Sequence, residues 1–229
     1  MKFQNTGYYY LGFLVVTFLG FWSSYFSKFF DGTADFNQYF HFHAITAVLW
    51  VGMLIIQPIL IRRKKYELHK AVGKFSYLLV PILFISVALL ANNRINPELE
   101  FVGPAVWIPF KDLIIFSLGF GIAIKFKNAM PIHARGMIVA GMALIEPVMA
   151  RVMFNVFDIQ GLTGYLMAIS VDYIILVVLI ILERNEKKGR WVFPLALATF
   201  LLIHIIRIFE INPGFWESFS RWFVSLPIT

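Results

Sequence analysis

Four histidines (His43, His69, His133, His204), three cations (Lys111, Arg151, Arg207) and three carboxylates (Asp112, Glu146, Asp172) fall inside or at the rims of long apolar runs. Charge at membrane depth is expensive and is kept for function or for assembly. The stretch from Pro131 to Arg151 concentrates the pattern, because His133, Arg135, Glu146 and Arg151 interrupt a run otherwise apolar enough to cross a bilayer. Read as one helix, it places His133 and Arg151 on a shared face, about five turns or roughly 27 Å apart. Met137, Ala140, Leu144, Pro147 and Val148 lie near that stripe, and Gly136 leaves room beside it. This face is expected to look into a bundle interior.

Such groups support distinct chemistries. Neutral imidazoles at matching depth on facing helices can hold haem b, given small residues at the porphyrin edge and cations near the propionates. A mid-depth carboxylate beside a bent helix suits a proton or cation path. Glu146, next to Pro147, and Asp172 are the candidates. The structural alternative is that Arg151 or Glu146 pairs with Asp172, Arg207 or Lys111 to hold helices together, while rim histidines bond loop carbonyls or headgroups. A zinc site from His43 and His204 would need a third ligand such as Asp112, and no H-x-x-x-H or H-E-x-x-H spacing occurs. The last apolar run holds no lysine for a retinal. With no cysteine, disulfides, iron–sulfur clusters, thioether-linked haem and thiolate metal sites are excluded.

The elements that must position these residues are membrane helices. Hydrophobic residues make up 59% of the 229 and charged residues 14%, with mean hydropathy +0.75. A soluble domain carries about a quarter charged residues. At about twenty residues per span, seven spans use roughly 140 residues, leaving short loops and one tail. The expected spans are 8–29, 40–61, 71–91, 105–124, 131–151, 162–182 and 191–209, with Asp31, Gly32 and Asp35 in the first loop. The fold class is therefore all-α and polytopic, with a seven-helix transmembrane domain over 1–212. The first run lacks a small-residue cleavage site and is read as a retained helix. Residues 213–229, with Phe215, Trp216, Phe219, Trp222 and Phe223 at helical spacing, are expected to form a short helix lying in the interface. The net charge of +7 does not signal nucleic acid, because the basic residues are gathered in turns between apolar runs. Lys2, the turns after spans 2, 4 and 6, and the first turns of the spans that follow them hold fourteen of the twenty Lys and Arg, which places the N-terminus inside and the C-terminus outside.

Orientation gives each histidine a depth. His69 and His133 fall at the inner boundary, near Lys74 and Arg135. His43 and His204 lie in the outer half with Arg151, Arg207, Lys111 and Asp112, while Glu146 and Asp172 are close to the midplane. His43 shares a face with Trp50 and Gln57 at intervals of seven, so it is expected to point inward, with His41 turned away. Two candidate pairs follow, His43 with His204 and His69 with His133.

From His43 to Tyr77 the chain carries H-A-I-T-A-V-L-W and then Q-P-I-L-I-R-R-K-K-Y-E-L-H-K-A-V-G-K-F-S-Y. With His133-Ala134-Arg135-Gly136-Met137-Ile138 and Arg151, this resembles a bacterial family of multi-pass membrane proteins known as a domain of unknown function. Its motifs are His-Arg-x-x-Gly-x-x-Tyr after an Arg-rich turn and His-Arg-Arg-Trp-Met-Ile-Arg at a later helix start. The matching positions are His43, Gln57, Arg62, His69, Gly73, Tyr77, His133, Arg135, Met137, Ile138 and Arg151. Lys70, Ala134, Gly136 and Val139 depart from the pattern, and spans 1, 6 and 7 lie outside it. The resemblance implies a bacterial cytoplasmic membrane and carries no reaction, but it favours the inner histidine pair. The paired histidines also look broadly like cytochrome b561-type proteins, an analogy of fold only.

The expectation is a haem b-binding or quinone-linked electron-transfer protein of the lipid bilayer. His69 and His133 would be inner iron ligands, with Lys74 and Arg135 near the propionates. His43 and His204 would be outer ligands, with Arg151 and Arg207 as their cations. Two alternatives stand beside it: an accessory subunit of a larger respiratory-type membrane complex, its buried charges locking helices, and a proton-coupled transporter using Glu146 and Asp172.

Overall fold

In hydrocarbon, backbone amides must bond within their own segment, so apolar runs of about twenty residues close into helices. The computed structural model describes residues 5–34 and 36–229; Lys2 and Asp35 lie outside the described residues. The helices are α1 (Thr6–Gly20), α2 (Gln38–Arg62), α3 (Tyr66–Arg94), α4 (Gly103–Lys125), α5 (Met130–Met142), α6 (Ile145–Asn155), α7 (Gly161–Leu182), α8 (Val192–Ile208) and α9 (Gly214–Ser225). No strand occurs among the described residues. The chain is thus all-α, and several of its helices are membrane-length.

Five segments are long and apolar enough to cross a membrane: α2, α3, α4, α5 with α6, and α7. A sixth arises if α1 is counted with Trp22–Phe29, to which it is joined through a 55° bend. α8 has 17 residues, about 25 Å of helix, and is shorter than the others. Neighbouring pairs are α2 with α3, α4 with α5, and α6 with α7; α1 lies against α2 and α6, and α8 against α4, α5 and α7.

Residues 131–151 do not form one helix. α5 ends at Met142, and α6 begins at Ile145. Pro147 has no N–H to offer the Ala143 carbonyl, and the chain passes the gap through a tighter bond, Leu144 N–H to the Gly141 carbonyl at 3.2 Å. The interruption breaks the straight stripe expected from His133 to Arg151. His133 turns toward α3, whereas the Arg151 guanidinium lies 4.4 Å from the Phe21 ring centroid beyond α1.

α4 and α5 approach backbone to backbone. Each carries a small-x-x-x-small pair, Gly119 with Ala123 and Gly136 with Ala140, the pattern that lets membrane helices pack closely. A Cβ added at Gly136 would stand 2.6 Å from the Ala123 nitrogen, and one at Gly119 would stand 2.3 Å from the Ala140 nitrogen. Around this seam Trp50, Phe193, Val139 and Leu176 are fully enclosed. Ile174, Leu182 and Leu202 are more than half exposed on the outer surface, as lipid-facing side chains should be.

The C-terminal segment is helical as expected, and it docks across the ends of α3 and α4. Phe223 is buried with Val102, Val106 and Ala91. The Glu217 carboxylate accepts the Val102 and Gly103 amides at 3.2 and 2.8 Å, occupying the N-terminus of α4, where a carboxylate is favoured. Burial pushes this carboxyl up, but hydrogen bonds from Asn212, Gly103 and Val102, with Arg221, hold it below the usual range.

Gly136→Val should lower stability by about 1–3 kcal/mol or more, because α4 cannot give way there. Thermal unfolding in detergent measures it. Gly121→Ala on the same pair of helices, where an added Cβ meets nothing within 4 Å, should leave the transition unchanged.

Candidate functional site

The polar residues of the apolar runs collect into two clusters. The larger is built by α4, α6, α7 and α8. Lys111 of α4 is fully enclosed; its ammonium donates to the Glu146 carboxylate of α6 and, at 2.7 Å, to Asp112 beside it. Glu146 stands in the first turn of α6, at the helix break, where free amides and the helix dipole favour a carboxylate. His204 of α8 presents Nε2 to the same Glu146 oxygen at 3.0 Å, and its Nδ1 lies 2.8 Å from the Tyr173 hydroxyl of α7. The neutral tautomer that serves both donates from Nε2 to Glu146 and accepts at Nδ1 from Tyr173. Asp112, Lys111, Glu146, His204 and Tyr173 thus form one continuous hydrogen-bonded chain across four helices.

Three further groups border it. Asp172 is fully enclosed, and neither of its carboxyl oxygens has a hydrogen-bond partner. Tyr165, one ring from His204 at 6.2 Å, has a buried hydroxyl with no partner, and Arg207 lies over its ring at 5.7 Å. Arg151, beyond these, donates to the Pro147 carbonyl at 2.8 Å and lies over the Phe21 ring.

The second cluster is at the other end of the bundle. His69 of α3 and His133 of α5 have ring centroids 6.3 Å apart and perpendicular planes. His133 Nδ1 is bonded to the Ala123 carbonyl at 2.9 Å, while His69 Nδ1 and both amide atoms of Gln57 are buried without partners. Arg135 is buried and paired with Glu183, and it also donates to the Pro131 carbonyl at 2.5 Å. Lys74 is exposed on α3.

His69 and His133 are thus side by side. No hydrogen bond or ring contact joins His43 to His204 among the described residues. His43 faces inward, as its stripe with Trp50 and Gln57 implied, but its Nδ1 bonds Ser86 of α3 at 3.2 Å. His204 has both ring nitrogens engaged within the protein. His41 packs among Tyr25, Phe29 and Phe36, with its Nδ1 2.9 Å from the Tyr25 hydroxyl. Of the two glycines beside these histidines, Gly136 has its space filled by the α4 backbone, whereas a Cβ added at Gly73 would meet only the Gln57 amide at 3.5 Å. Sequence reasoning missed Tyr165, Tyr173 and Glu183. Polar tips at 165, 172 and 173, two turns apart in an otherwise apolar run, were the available signal.

Two cavities flank the larger cluster. One of about 340 Å³ is a groove between α7 and α8 whose lining includes Tyr173 and His204. The other, about 650 Å³, opens near α9 and is lined by Arg207, Glu210 and Asn212 among others. Comparison of the chain with protein-family models, curated proteins and solved structures finds no match in any of the three.

Removing one partner of a buried ion pair is worse than removing both, because a lone charge remains. Lys111→Met should destabilise the protein by about 3–5 kcal/mol, and adding Glu146→Gln should recover a substantial part. A double-mutant cycle of unfolding in detergent checks this.

Proposed function

We propose that this is a polytopic protein of a cytoplasmic membrane that moves protons through its interior, coupled to the passage of a solute. All seven apolar segments cross, including bent α1 and short α8, with the N-terminus inside and α9 on the outer face. The observation that carries the reading is the hydrogen-bonded chain from Asp112 to Tyr173, with the unpartnered Asp172 beside it. Each link joins groups able to give or take a proton, and no link depends on a loop. Charge accounting points the same way. Among the buried groups Lys111 sets one cation against the two carboxyl groups of Glu146 and Asp172, so the enclosed set becomes neutral when it holds one proton. An enclosed set in hydrocarbon favours neutrality. His204 and Asp172 are the places for that proton, the first through Nδ1 and the second as an acid.

In sealed vesicles carrying the protein, an imposed pH gradient should drive proton flux reported by an internal pH dye. Glu146→Gln and Asp172→Asn should each reduce it at least about tenfold, while Lys74→Gln on the exposed face of α3 leaves it unchanged. Flux that survives both carboxyl replacements excludes the reading.

A second reading rests on the inner pair. Two imidazoles 6.3 Å apart, one fixed through Nδ1 by a backbone carbonyl, resemble the axial ligands of a haem iron. The ligands fit that role better than their surroundings, since the α4 backbone fills the space at Gly136 and Arg135 is held by Glu183. This reading expects a Soret band in protein purified after expression with ample haem, lost in His69→Ala; a colourless preparation removes it.

A further inference from the structure

The cavity of about 650 Å³ lies where the end of α8 meets the start of α4, under the loop that precedes α4. It is an open depression whose volume lies within the range of small-molecule sites. Its lining carries one guanidinium, Arg207, and two carboxylates, Glu100 and Glu210, beside the apolar surfaces of Phe101 and Ile108. Arg207 Nη1 and Glu210 Oε1 are 3.5 Å apart, and their side chains are 28% and 68% exposed, so the pair is weak and open to exchange. Asn212 closes the inner edge, its side-chain oxygen packed against Gly103 and its amide donating to Glu217 at 2.8 Å.

We infer that this cavity binds a zwitterionic α-amino acid with a bulky apolar side chain. A simple anion would meet Arg207 but also two carboxylates, and a simple cation would meet the guanidinium. A molecule bearing both charges a few ångströms apart satisfies both sides, its carboxylate on Arg207 and its ammonium on Glu210 and Glu100. Phe101 and Ile108 then cover the side chain. Arg207 links this site to the interior, because it also lies over the Tyr165 ring, which borders His204. Binding stands on the cavity alone; that the bound molecule is the solute coupled to proton movement rests on the proton reading.

The test is calorimetric titration of the full chain in detergent, without a pH gradient, using L-phenylalanine, 2-phenylethylamine and 3-phenylpropanoate. L-Phenylalanine should bind at least tenfold more tightly than either singly charged analogue. Arg207→Gln and the exposed Glu210→Gln should each weaken it at least tenfold, and the second should keep the unfolding temperature of the unaltered protein. No binding of L-phenylalanine, equal binding of one analogue, or unaltered binding by Glu210→Gln overturns the proposal. Loss of proton flux in the carboxyl variants with binding intact separates the two claims, since the cavity lies outside the chain from Asp112 to Tyr173.

Discussion

The ion pair between Lys111 and Glu146 is the constraint on which the bundle turns. An unpaired charge at mid-membrane depth costs about 2.5–3.5 kcal/mol even by the lenient insertion scales. Both residues sit inside apolar segments, so neither helix is comfortable in lipid until the other arrives. Pairing them fixes the depth of α4 against α6. His204 then adds α8 to the same carboxylate, and Tyr173 adds α7 to the histidine. Assembly and site are one set of contacts.

Close packing sets the precision of that arrangement. Lys111 and Gly119 are eight residues apart on α4, about 12 Å along the axis. The backbone contact of Gly119 and Ala123 with Gly136 and Ala140 therefore fixes the height at which the ammonium emerges. Dispersion between tightly fitted backbones does what the hydrophobic effect cannot do between helices that are equally at home in lipid. Larger residues at these positions would displace the lysine from the carboxylate.

Much of this was legible in the residues themselves. A charge inside an apolar run is conspicuous, so Lys111, Asp112, Glu146, Asp172 and His204 stood out without any structure. Their partners did not, because adjacency depends on which helices neighbour one another. His43 and His204 were expected in the same half of the membrane, yet they take different partners, Ser86 on α3 and Glu146 on α6. Tyr165 and Tyr173 were hidden because tyrosine is common in membrane helices as a packing or interfacial residue, and only proximity to His204 gives their hydroxyls meaning. Pro147 announced a bend, but whether a missing amide bends or divides a helix is decided by what fills the gap. Here Gly141 and Leu144 close a tighter turn, and the helix divides.

That division has a neighbour. α1 ends at Gly20, where the chain bends by 55°, and a Cβ there would stand 3.2 Å from the Val148 carbonyl oxygen. Asn155 donates to the Gly20 carbonyl at 3.0 Å, and Arg151 covers Phe21. The two interruptions are thus packed on each other through α6, an 11-residue helix bounded by a break on one side and a turn on the other. Glu146 is carried on that segment. Its two partners, Lys111 and His204, stand on α4 and α8, so the break between α5 and α6 sets the carboxylate on which both of those helices converge.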